Sequence, residues 1–173
     1  MKKLALTDFA KYRYPSALEL SPDSRYLTFA LKEVDREGDG YRWNLWLYDL
    51  ERRESRQITQ GDDQRKAVWE DNTHILYKTT EPDEALRARG FEEEWTVYHR
   101  LNVCTGEDRE AFRLPMSVSG LWKMDEGRYV FTGETHLDRP NLLELTGEAL
   151  EKELVRRQQT RGYKVLTELP LCE

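Results

Sequence analysis

The chain is poor in cysteine, histidine and long apolar runs, and each shortage excludes something. Only two cysteines, Cys104 and Cys172, occur in 173 residues. Cys104 falls in an expected hairpin turn and Cys172 is next to last. A disulfide between them stays open, but two reduced thiols in a cytoplasmic protein are the plainer reading. The three histidines, His74, His99 and His136, have spacings that match no ligand pattern, so neither a metal nor a cofactor is expected. No apolar run approaches the roughly 18 residues of a membrane span. The opening MKKLALTDFAKYRYP has two lysines but no long apolar core and no cleavage-like site, so it reads as mature chain. Positive charge is not in excess either. The 27 Lys and Arg against 33 Asp and Glu give a net charge of −6, which argues against a nucleic-acid backbone as partner. Hydrophobic residues make up only 38%, but aromatics at 11% raise the volume that each apolar position fills.

What the chain does have is a repeated stretch. Leu20 to Phe29 reads LSPDSRYLTF, Val68 to Tyr77 reads VWEDNTHILY, and Trp122 to Phe131 reads WKMDEGRYVF. Each has an apolar start, a short polar run with an Asp, two turn residues, and an apolar strand that closes on an aromatic. The aspartates are Asp23, Asp71 and Asp125, so the copies lie 48 and then 54 residues apart. One hairpin per long period is the pattern of a stacked all-β array.

A lead-in, Leu4 to Tyr14, is expected to form a short helix ended by Pro15, with Thr7 or Asp8 as N-cap. The first repeat then gives strands at Ala17 to Leu20, Tyr26 to Leu31, Tyr41 to Leu50 and Arg56 to Thr59. Ser21-Pro22-Asp23-Ser24 supplies the first turn. Leu27, Phe29 and Leu31 share one face of the second strand, and Tyr26, Thr28 and Ala30 the other, which suits a strand covered on both sides. The aromatics Tyr41, Trp43, Trp46 and Tyr48 are expected to pack between successive sheets rather than to form a stacking platform. Four strands that end on a polar one resemble a propeller blade.

The second repeat gives strands at Lys66 to Trp69, His74 to Thr79, Trp95 to Val103 and Arg109 to Leu114. An insertion, Pro82 to Arg89, reads as two helical turns with Pro82 first and Gly90 as the stop. The third repeat gives Val118 to Lys123 and Arg128 to Thr132. A helix from Thr146 to Gly162 follows, with Thr146 as N-cap and Ala149, Leu150 and Leu154 as a stripe lying on the sheet. Early glutamates and late arginines suit its dipole. Tyr163 to Leu169 reads as the start of another strand. The fold class expected is all-β, a partial β-propeller of four-stranded antiparallel blades with one or two inserted helices. Its blades are expected at about 16–61, 62–115 and, incomplete, 116–173. The unfinished third blade implies an exposed sheet edge, a longer parent protein, and an edge-mediated dimer of the fragment.

The stretches DFAKYRYPSALELSPDSRYLTFAL, NLWLYDLERRESRQIT and VWEDNTHILY resemble the N-terminal propeller of prolyl oligopeptidase family serine peptidases. The acylaminoacyl-peptidase and dipeptidyl-peptidase-like branches look closest. The resemblance covers Thr7 to about Phe131. Ser-Pro-Asp hairpins also occur in TolB-like interaction propellers without peptidase activity, which is the alternative reading. The resemblance implies a non-catalytic gate over a separate C-terminal α/β-hydrolase domain, in a parent that acts on short peptides. The Gly-x-Ser-x-Gly elbow of that domain is absent from this sequence. The serines, Ser16, Ser21, Ser24, Ser55, Ser117 and Ser119, all fall at expected turns or strand starts. No catalytic residue is therefore expected here.

The resemblance also singles out Glu92, Glu93 and Glu94. In dipeptidyl peptidases a propeller Glu pair binds the free amino terminus of the substrate, and paired carboxylates beside a cleft attract and bond an ammonium. The bland alternative is a solvated acidic run that leads into a strand. Arg87, Arg89, Arg156 and Arg157 read as ordinary helix-face charges.

Overall fold

Alternating apolar segments broken by polar turns dictate short antiparallel strands, and the computed structural model contains ten of them among its described residues. It describes residues 6–35, 40–61, 63–125, 127–135 and 138–160. A 3₁₀ turn, Leu6–Lys11, leads into β1 (Tyr14–Leu20), β2 (Tyr26–Asp35), β3 (Gly40–Asp49) and β4 (Glu54–Gln57). These form one antiparallel sheet in the order β1-β2-β3-β4. A second sheet repeats the plan with β5 (Ala67–Trp69), β6 (His74–Pro82), β7 (Glu94–Asn102) and β8 (Asp108–Leu114). A third, two-stranded among the described residues, holds β9 (Ser117–Lys123) and β10 (Tyr129–Glu134). Helix α1 (Glu84–Arg87) lies between β6 and β7, and α2 (Gly147–Thr160) follows β10.

The aspartates of the repeat close the first hairpin of the first two sheets in the same way. Asp23 Oδ1 accepts the amide of Arg25 at 3.1 Å and the hydroxyl of Ser21 at 2.6 Å. Asp71 Oδ1 accepts the amides of Thr73 at 2.7 Å and His74 at 2.8 Å. A short side-chain acceptor that bonds amides two or three residues on fixes the turn and sets the register. The other hairpins at this end follow suit. Asp49 Oδ1 accepts the amides of Glu51 and Arg52, and Asn102 Oδ1 those of Cys104 and Thr105.

The sheets stack face to face. Ala30, Leu45 and Leu47 of the first sheet meet Ala67, Trp69, Ile75, Tyr77 and Leu101 of the second. Leu76 and Tyr98 on the second sheet's other face meet Val118 and Leu121 of the third. Burial of each such leucine or isoleucine contributes about 1.5–3 kcal/mol.

Four expectations change. β2 is covered unevenly: Thr28 and Ala30, toward the second sheet, are buried, whereas on the other face Leu27 and Phe29 are half-buried and Leu31 is buried. The aromatics of β3 do not fill the junction. Phe29 stands opposite Trp46 and stacks on it at 6.4 Å, on the face away from the second sheet, while Leu45 and Leu47 enter the core. Pro82 ends β6, and Asp83, not Pro82, starts α1 by accepting the amide of Leu86 at 3.0 Å. The stripe on α2 does not lie on a sheet. Leu154 is fully buried with Leu86, Phe91 and Leu142, Leu150 packs beside them, and Ala149 is exposed. The insertion between β6 and β7 thus supplies the apolar floor for α2. Gly162, His136, Cys172 and the segment Tyr163 to Leu169 lie outside the described residues. No helix among the described residues is long and apolar enough to cross a membrane.

Candidate functional site

Residues 92–94 sit where the α1 insertion returns to the sheet. Asp83 closes this loop from three directions. Its carboxylate caps α1, its Oδ2 accepts the indole N–H of Trp95 at 3.2 Å, and its amide donates to the Glu93 carbonyl at 2.9 Å. Gly90, at φ 83, turns the chain so that the Phe91 amide reaches the Leu86 carbonyl. Phe91 is buried, and the acidic run emerges directly beside it.

The three carboxylates then part company. Glu92 and Glu94 are exposed. Glu93 is half-buried and bonded to Arg157 of α2, Nη1 to Oε1 at 2.7 Å. Arg157 is saturated: Nε meets Glu153 at 3.1 Å and Nη2 donates to the Pro140 carbonyl at 2.6 Å. Its side chain is only 14% exposed, so it is not an ordinary helix-face charge. Glu153, buried, also receives Arg156 through two bonds of 2.7 Å. The Arg156 guanidinium, with that of Arg157, holds the Glu153 carboxyl well down, at about 2, against the upward push of burial. Arg89 and Glu151 form a second, exposed bidentate tie between the insertion and α2.

The run borders a cleft of about 720 Å³, which Met116, Glu134, Arg139 and Leu143 also line. Its rim carries free-standing negative charge at Glu92 and Glu94, while the third member of the run already has a guanidinium as its counter-ion. The arrangement can bind a cationic or hydrogen-bonding group.

His74 and His99 have local partners. His74 Nδ1 lies 2.9 Å from Asp71 Oδ2. Hydrogen bonds from the Thr73 and His74 amides outweigh burial and keep the Asp71 carboxyl at about 2. His99 stacks on Tyr77 at 5.2 Å, and its Nε2 lies 3.2 Å from the Thr79 hydroxyl. Asp108 lies beyond, completing a hydroxyl–imidazole–carboxylate line that strand spacing alone does not reveal. The His99–Asp108 separation of 3.6 Å is too long for a hydrogen bond, and the Tyr77 hydroxyl already donates to Asp108 at 2.5 Å. This line is a packing arrangement, not a triad. Burial, then that bond, pushes the Tyr77 hydroxyl far above its ordinary value. Among the described residues no three His, Cys, Asp or Glu side chains are gathered as for a metal ion, and Cys104 is exposed as a free thiol.

A second constellation, missed from sequence, lies at the junction of the second and third sheets. The half-buried Glu70 carboxylate receives the Arg100 guanidinium at both oxygens, one at 2.6 Å, and the Tyr129 hydroxyl. Burial pushes the Glu70 carboxyl up, but these donors outweigh it and leave it below its ordinary range. Glu70 and Arg100 are 30 residues apart, with no local signal that pairs them.

The chain matches neither a family model nor a curated protein. Solved structures do resemble it. One is the β-propeller domain of the Trilobed protease from Pyrococcus furiosus, with an open velcro topology: TM-score 0.52, 13% identity, 71% of this chain and 34% of that one. Another is the acylaminoacyl peptidase of Pyrococcus horikoshii: TM-score 0.50, 14% identity, 68% of this chain and 17% of that one. Both are of the prolyl oligopeptidase family. At such identities the likeness is one of fold: a mostly β chain of antiparallel four-stranded sheets similar to those in peptidase propellers. The chain spans about a third of the first structure and a sixth of the second.

Proposed function

We propose that the chain is the N-terminal part of a β-propeller in a cytoplasmic serine peptidase of the prolyl oligopeptidase kind, where it gates access for short peptides. The observation that carries this reading is the repeated sheet plan. Two four-stranded antiparallel sheets with matching turn chemistry stack face to face, and a third begins the same way, as in the peptidase propellers above. The blades are then about 16–61, 62–115 and 116–173. The partners in the whole protein are the remaining blades and a C-terminal hydrolase domain, which carries the catalytic serine. Glu92 and Glu94 give the cleft its affinity for the amino terminus of a peptide, and Glu93, tied to Arg157, fixes the loop that presents them.

Two measurements test this. The reading frame beyond residue 173 is expressed and treated with a fluorophosphonate probe. Labelling of the longer product, with none on the 173-residue chain, supports the peptidase reading. A frame that ends after further blades without a Gly-x-Ser-x-Gly elbow overturns it in favour of an interaction propeller. For the cleft, short peptides with free and with acetylated amino termini are titrated against the chain. Glu92→Gln with Glu94→Gln should weaken only the free-terminus series, and equal loss on both removes the binding role.

A further inference from the structure

The first two sheets share one kind of corner. In the second sheet, Asn102 Oδ1 accepts the amides of Cys104 and Thr105 at 2.9 and 3.0 Å, and Gly106 follows at φ 79. In the first, Asp49 Oδ1 accepts those of Glu51 and Arg52, both at 3.0 Å, and Arg53 follows at φ 57. Residues 102–106 make this turn without a charged side chain, so the turn itself has no need of one. The first corner nonetheless carries Arg52, with Arg56 on β4 after it and Arg25 on the corner beside it. All three line one cleft of about 420 Å³, where the first sheet meets Val103 and Cys104 of the second. Both walls belong to four-stranded sheets that are complete among the described residues.

The cleft has hydrogen-bond donors to spare. Arg56 donates from Nη2 to the Val103 carbonyl, which holds it in place and leaves the rest of its fork unused. Arg25 lies 5.1 Å from the centre of the Tyr26 ring, and its Nε is 3.7 Å from Glu51 Oε2, too long for a hydrogen bond. The Arg52 side chain has no hydrogen bond or ion pair among the described residues. Asp49 and Glu54, opposite each other in the ladder, offset two of the three positive charges. The remainder is positive, on a chain whose net charge is −6.

We infer that this cleft binds a phosphate group, either the free ion or a monoester. A planar carboxylate is satisfied by one guanidinium fork. Three forks from three elements suit a tetrahedral dianion, whose several oxygens accept from each. Tyr26 gives the cleft an aromatic wall for the body of an ester. The site owes nothing to the peptidase reading, and the two can fail separately.

Titration calorimetry of the chain at low salt tests it, with inorganic phosphate, glycerol 3-phosphate and acetate as ligands. Alkylation of Cys104, an exposed thiol on the same cleft, reports where they bind. Both phosphates should bind saturably and slow Cys104 alkylation along the same curve, and acetate should do neither. Tighter binding of glycerol 3-phosphate marks an ester as the ligand, and equal or weaker binding marks the free ion. Arg52→Gln, whose side chain holds nothing in the fold, should weaken phosphate about ten-fold or more, through lost hydrogen bonds to a charged group. Arg25→Gln should do the same. Arg53→Gly removes the same charge one residue away, outside the cleft, and supplies the residue that a left-handed corner favours. It should leave binding within about two-fold, because an exposed charge off the site is screened. Phosphate that neither saturates nor protects Cys104, acetate that binds as well as phosphate, or a loss in Arg53→Gly as large as in Arg52→Gln overturns the inference.

Discussion

The two sheet junctions differ in what holds them. The first, between four-stranded sheets, is mainly apolar: nine buried hydrophobic residues form one cluster there. The polar ties that cross it lie around its edges: the Trp69 indole to the Glu19 carbonyl at 3.1 Å, Arg56 to the Val103 carbonyl, and the Lys66–Glu19 ion pair at 3.8 Å. The second has four buried hydrophobic residues and a denser set of directed bonds. Arg100 and Tyr129 converge on Glu70, Lys78 donates to the Val118 carbonyl, and Lys123 donates to the Glu70 carbonyl. The Thr96 hydroxyl donates to the Met116 carbonyl at 2.7 Å and accepts the Val118 amide at 3.2 Å. Where two full sheets meet, non-directional burial suffices. Where a two-stranded sheet meets a full one, hydrogen bonds to charged groups supply position as well as energy.

The comparison is broken most severely at its apolar side. Leu45→Ala, at a fully buried site, should cost about 2–5 kcal/mol in urea unfolding, the range for a leucine that leaves a cavity. At the second junction Arg100→Ala should cost about 1–3 kcal/mol, because it strands a half-buried carboxylate. Adding Glu70→Gln to it should recover part of that loss. No loss of stability from either change made alone would show that the clamp is idle. Thr96→Val keeps the shape and removes both hydroxyl bonds, for about 1 kcal/mol.

Acid sharpens the contrast. Glu70 and Glu153 both have folded values below the ordinary carboxylate range of about 4.3. Groups so depressed stabilise the fold above that range, and the contribution fades as pH falls through the folded value. Unfolding midpoints should therefore drop between about pH 5 and pH 2, with Asp71, held at about 2 in the second sheet, adding to the effect of Glu70 and Glu153. Glu153→Gln is less stable at neutral pH and should show a shallower drop. An unchanged slope would place the acid sensitivity elsewhere. The smallest effect belongs to Arg89→Ala, which breaks an exposed pair with Glu151 and should leave the urea midpoint almost where it was.

The sheet plan was legible because it is written locally. Asp23 and Asp71 bond amides two residues on, so their turns can be read from a ten-residue window. The β3 aromatics misled for a physical reason. Alternation holds from Tyr41 to Trp43 and from Trp46 to Tyr48, but the three-residue step between 43 and 46 changes face. Trp46 and Tyr48 therefore turn outward and Leu45 and Leu47 turn inward. At the candidate cleft the acidic run itself was readable, whereas its neutralisation by Arg157, 64 positions later, was not. Glu70 with Arg100, and Thr79 with His99, are likewise brought together only by register across strands. Pairing of that kind leaves no trace in spacing along the chain.

One feature of the hairpins bears on engineering. The pair Asp35 and Gly40 closes β2 against β3 across four residues, and the pair Pro82 and Glu94 closes β6 against β7 across eleven. The mouth of the hairpin keeps the same width in both, so the ladder is indifferent to how much chain bridges it. That rim is the place to graft a foreign peptide or a reporter loop, while the opposite rim keeps tight corners, six residues between Leu20 and Leu27 and five between Trp69 and Ile75, each held by its aspartate.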